Sequence, residues 1–155
     1  MLADAGVETL VDVRRFAGSR RNPQFNVGPL AEAVGAAGIA YRPAPELGGR
    51  LANEPGEERF GCVRVAAFRS YAARMTTQAW QNALADALGS PTPCFMCAET
   101  LWTRCHRRLI AELLHARGHE VVHLLRPGHS EQHRVWEPIS ETRDGVLHLC
   151  GEPVA

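Results

Sequence analysis

Short apolar runs, separated by glycine and proline, organise this chain. Residues 8–13 (ETLVDV) predict a strand buried on both faces, because apolar positions follow one another with little alternation. A polar loop follows over residues 14–24. Gly28-Pro29 then opens a predicted helix reaching residue 37, with Leu30, Ala33, Val34 and Ala37 at helical spacing, and Gly38 ends it. Residues 39–41 make a second short strand. Residues 42–68 are rich in turn formers and read as one long excursion, a length that points to function or mobility.

One or two helices are predicted over residues 68–88, with Tyr71, Met75, Trp80, Leu84 and Leu88 on apolar faces. Residues 93–98 (PCFMCA) form a third, apolar strand. A helix over 104–116 turns Leu109, Ile110, Leu113 and Leu114 inward and closes at Gly118. Residues 120–125 (EVVHLL) are a fourth strand. Beyond residue 126 the chain reads as a polar tail, with a closing hairpin at Asp144-Gly145. Strands that alternate with helices define an α/β fold: a single domain over residues 1–126, with a mostly parallel open sheet and helices packed on its faces, followed by the tail or hairpin at 127–155.

Composition narrows the function classes. The chain has 155 residues, 45% hydrophobic and 22% charged, which suits a packed globular core. Seventeen basic residues, all arginine, balance seventeen acidic ones. That neutrality weighs against nucleic acid as a partner, without removing it. No run approaches the ~20 apolar residues of a spanning helix, and no signal-peptide pattern opens the chain. The five cysteines, at 62, 94, 97, 105 and 150, do not read as a disulfide framework. The expected compartment is a reducing cytoplasm.

Ligands of open α/β sheets sit beyond the carboxyl ends of the strands. Two polar loops are expected there. One carries Asp12, Arg14, Arg15, Arg20 and Arg21; the other carries Cys97, Glu99, Trp102, Cys105, His106 and Arg107. The second runs into a helix N-terminus, whose free N–H groups and dipole favour anions, and arginine forks suit phosphate or carboxylate. A small anionic ligand is the leading expectation, and no cofactor is specified. Asp12 lies in an otherwise apolar strand and needs a partner, for which an arginine is the structural account. The loop arginines read equally as a solvated surface.

Cys97 and Cys105 support three readings: a nucleophile with His106 as base and Arg107 on an oxyanion, a redox pair, or simple packing. The cysteine-phosphatase spacing of Cys, five residues, then Arg is not met, because position 103 is Thr. A zinc set of Cys94, Cys97, Cys105 and His106 fits poorly, since positions three apart on a strand face opposite ways, and no metal site is expected. His129 and His133 would share a helical face only if the tail were helical. Glu46, Gly48, Gly49 and Arg50 form a possible lid over the ligand, with Arg69 and Tyr71 on its rim.

Four segments together carry a resemblance. They are residues 10–16 (LVDVRRF) with 19–26 (SRRNPQFN), 45–50 (PELGGR), 68–72 (FRSYA), and 97–99 (CAE) with 105–107 (CHR). In this order and spacing, over residues 7 to 125, they resemble the bacterial domain-of-unknown-function family 488. The resemblance implies a fold and a site rather than a reaction. It also implies an initial strand, a Gly-His-Ser-like turn and a helix ahead of the 10–13 strand. This chain begins within the end of that helix, so one strand and part of the polar rim are expected to be missing.

Overall fold

The computed structural model describes residues 1–154. It is an α/β structure with four α-helices, one parallel sheet and two antiparallel sheets. The chain packs as two compact units, each built from two separate stretches: Met1–Gly48 with Asn82–Ala98, and Gly49–Gln81 with the chain from Glu99 onward.

The first unit holds the parallel sheet. Strand β1 (Thr9–Asp12) lies between β2 (Ala40–Pro43) and β3 (Pro93–Met96). Thr9 pairs with Ala40 on one side and with Pro93 on the other. The central position explains the sequence of β1. All four of its residues are buried, whereas the edge strands are half-buried or exposed. Helix α1 (Val27–Ala36) connects β1 to β2 and buries Leu30 and Val34. It ends as its sequence predicts. Gly38 takes φ 74°, its N–H reaches Gly35, and Ile39 N–H bonds back to Val34 O at 3.0 Å.

The second unit is built on helices α2 (Ala66–Met75) and α4 (Arg107–Ala116). Helix α3 (Gln78–Leu88) follows α2 after a break at Thr76-Thr77, so the 68–88 segment is two helices. Helix α4 contributes Leu109, Ile110, Leu113 and Leu114 to the core, as their spacing predicts. Strands β6 (Ser140–Arg143), β7 (Val146–Leu149) and β8 (Glu152–Pro153) form an antiparallel sheet that covers α4 and buries Leu147, Leu149 and Val154. Asp144 and Gly145, at φ 52° and 78°, make the two-residue link from β6 to β7.

Three expectations are corrected. The sheet is not mostly parallel: among the described residues only β1, β2 and β3 pair that way. The predicted fourth parallel strand, β4 (Val122–Arg126), instead pairs antiparallel with β5 (His129–Gln132) across the Pro127-Gly128 turn. A two-residue turn can join only antiparallel neighbours, and that turn overrides the strand–helix rhythm. Finally, not all cysteines are thiols. Cys62 and Cys150 form a disulfide across 88 positions, a pairing that spacing alone does not reveal. No described helix is long and apolar enough to cross a membrane.

Candidate functional site

The polar group at the carboxyl end of β1 is held together by an ion pair and hydrogen bonds. Arg14 directs Nε and Nη2 at both Asp12 carboxylate oxygens, and its Nη1 donates to Phe25 O at 2.8 Å. Tyr41 donates its hydroxyl to Asp12 as well. Asp12 is 2% exposed and Arg14 8%, so this ion pair is buried. Burial pushes the Asp12 carboxyl up, but hydrogen bonds from Arg14 and Tyr41 outweigh it and hold the carboxyl below its ordinary value. Burial and Asp12 together push the Tyr41 phenol up to about 12. Arg14 thus neutralises Asp12, the arginine partner that the buried carboxylate requires, and ties down the loop at Phe25. Arg15, Arg20 and Arg21 are exposed on the same loop, and Glu46 is exposed as well.

The paired glycines have separate roles. A Cβ on Gly48 would lie 2.7 Å from Arg15 Cβ and 2.8 Å from Pro45 O. A Cβ on Gly49 would lie 2.5 Å from His106 Nδ1. Both are buried, and their task is close backbone approach. The neighbouring Arg50 is exposed at φ 60°.

Around Cys105 the second unit gathers its reactive side chains. Cys105 ends the short 3-10 turn Trp102–Arg104 and lies just ahead of α4, with His106 at the N-cap and Arg107 as the first helical residue. The Cys105 Sγ is 3.5 Å from His106 Nδ1 and 3.5 Å from Arg107 Nε. Arg107 also donates from Nη2 to the Glu99 carbonyl, so Glu99 contributes its backbone to this centre. Cys105 is 1% exposed and His106 9%. The imidazole is fixed between the Gly49 backbone and Tyr71, whose ring centroid is 5.0 Å away, and its Nε2 is buried without a hydrogen-bond partner. Tyr71, expected on a rim, is fully buried and accepts a hydrogen bond from Trp80 Nε1 at 3.3 Å. Arg69 donates to Val63 O and Arg64 O. Cys97, the other candidate nucleophile, is half-buried in the first unit, directly after β3.

A second cluster escaped the sequence reading. His123 on β4 stacks on Trp102 with ring centroids 3.7 Å apart and planes 5° from parallel. Its Nε2 is 3.0 Å from Nδ1 of His133, which follows β5. His133 Nε2 lies 3.4 Å from Glu112 Oε1 on α4. Trp102 Nε1 donates to Glu131, the cross-strand partner of His123. Burial and the neighbouring His133 push the His123 imidazole down to about 4. The available signal was His123 and His133 on either side of a Pro-Gly turn, which makes them diagonal neighbours on one hairpin face. The weighed pairing of His129 with His133 presumed a helix where β5 lies.

Fold and site together define an α/β protein with a thiol, an imidazole and a guanidinium gathered at the start of a helix. The family model described as "Domain of unknown function DUF488" matches residues 1–114, and the chain belongs to that family. The match takes in β1, the paired glycines and the Cys105-His106-Arg107 run, and stops within α4. Comparison with curated proteins and with solved structures gave no match.

Proposed function

We propose that this protein binds a small phosphate- or carboxylate-bearing anion at the N-terminus of α4, and that Cys105 is its reacting group. The observation that carries this reading is the Cys105 Sγ held 3.5 Å from both His106 Nδ1 and Arg107 Nε. Imidazole is a ready acceptor for the thiol proton, and guanidinium and the helix dipole favour the thiolate that remains. The same positive groups favour an anionic ligand. The imidazole is already oriented by Gly49 and Tyr71, so little ordering is left for the reaction to supply.

Alkylation by iodoacetamide, mapped peptide by peptide across a pH series, tests the reading. Cys105 should be modified faster than Cys94 and Cys97, and phosphate or sulfate should slow its modification. Arg107→Ala should weaken that protection roughly ten- to a hundredfold, the value of one charged hydrogen-bonding partner. If Cys105 is the slowest thiol of the folded protein, and calorimetry finds no affinity for phosphate or sulfate, the proposal is wrong and the cluster serves packing alone.

A further inference from the structure

We infer that His123 and His133 form a binding site for a divalent transition-metal ion of the zinc class, oriented by Glu112. Two imidazole nitrogens, Nε2 of His123 and Nδ1 of His133, converge to 3.0 Å. Two ligands of one tetrahedral zinc, each ~2.0–2.1 Å from the ion, stand only slightly further apart, so a small parting of the rings admits the ion. His133 is otherwise aimed as zinc-binding histidines are. Its second nitrogen faces a carboxylate, Glu112 Oε1 at 3.4 Å, and both side chains are 1% exposed. Carboxylates in that position fix the tautomer and raise the basicity of a metal-binding imidazole.

A further observation favours a cation here. His133 Nε2 and Glu112 Oε1 are both buried without a hydrogen-bond partner, an expensive arrangement in a protein interior. Metal on Nδ1 obliges His133 to carry its proton on Nε2, opposite that carboxylate, which draws the pair together. Stacking on Trp102 fixes the His123 ring plane, so the ligand direction is set before the ion arrives. Solvent or an incoming ligand would complete the coordination.

The test is calorimetric titration of the folded full chain with Zn²⁺, joined to the absorption spectrum of its Co²⁺ complex. One ion per chain is expected. His123→Ala and His133→Ala should abolish binding, and Glu112→Gln should weaken it about 10–100-fold, as loss of an orienting carboxylate does elsewhere. Circular dichroism of each variant separates lost binding from lost folding. The cobalt spectrum should show no sulfur charge-transfer band, and Cys105→Ser should bind as the wild type does. No uptake by the folded wild type overturns the inference. So does uptake that shows thiolate bands or disappears in Cys105→Ser, because the ion would then sit on sulfur.

Discussion

The backbone of Gly49 lies against the His106 imidazole so closely that an added methyl group would stand 2.5 Å from Nδ1. This contact sets the ring that faces Cys105. Gly49→Ala is therefore expected to displace His106 and slow Cys105 alkylation. The overpacking should cost about 1–3 kcal/mol of stability. Urea denaturation and thiol mapping of the same variant check both outcomes. Wild-type alkylation rates in a stable Gly49→Ala protein would show that the ring position does not matter to the thiol.

Arg14→Ala should destabilise the protein by about 3–5 kcal/mol, because it leaves the Asp12 carboxylate buried without its counter-charge. Replacing both partners, as in Asp12→Leu with Arg14→Met, should cost less than Arg14→Ala alone, since no buried charge is then stranded. Denaturant midpoints of the two variants decide the matter. Equal losses would mean that the pair's hydrogen bonds to Tyr41 and Phe25, rather than its charges, dominate.

The same cluster gives stability a pH dependence at both extremes. The Asp12 carboxyl is held below its ordinary value of 3.8, so its contribution is complete above that pH and fades as pH falls through the lowered value. The Tyr41 phenol is pushed up to about 12 from 10.0, so the folded chain favours its neutral form. That contribution is complete below pH 10 and fades as pH rises towards 12. Tyr41→Phe should remove the alkaline component while leaving an acid component. Urea midpoints across pH, compared between wild type and variant, provide the check.

The Cys62–Cys150 bridge closes a long loop whose ends are 88 positions apart. Chain-entropy arguments put its stabilisation at up to about 4–5 kcal/mol. Reductant should lower the melting temperature of the wild type, and a Cys62→Ser/Cys150→Ser variant should melt low and ignore reductant. Thiol titration of the unreduced, denatured chain should return Cys94, Cys97 and Cys105 only. Five titratable thiols would show that the bridge does not form.

The sequence made local order legible and long-range partnership much less so. The burial of β1, the core face of α4 and the glycine stop of α1 follow from periodicity and backbone sterics, which act within a few residues. The need of Asp12 for a partner was also legible, since an isolated buried carboxylate is too costly to persist. That an arginine would supply it was legible too; which of the loop arginines does so was not, because Arg14 and Arg15 are neighbours of the same type and only the fold aims one of them at Asp12. The His123–His133 pair and the Cys62–Cys150 bridge depend on how distant strands meet. So does the antiparallel turn of β4, whose residues alone would suit either sheet.

The central strand β1 has one more consequence, and it concerns synthesis. β1 lies early in the chain, but its neighbour β3 begins at Pro93, more than eighty residues later. At ribosomal rates of about 5–20 residues per second, roughly 4–16 s pass before that edge can be covered. Through that interval an apolar strand with unpaired backbone groups is exposed in the nascent chain, a hazard for aggregation. Production of this protein should therefore depend on what shields residues 9–13 during translation, before any question of how stable the finished fold is.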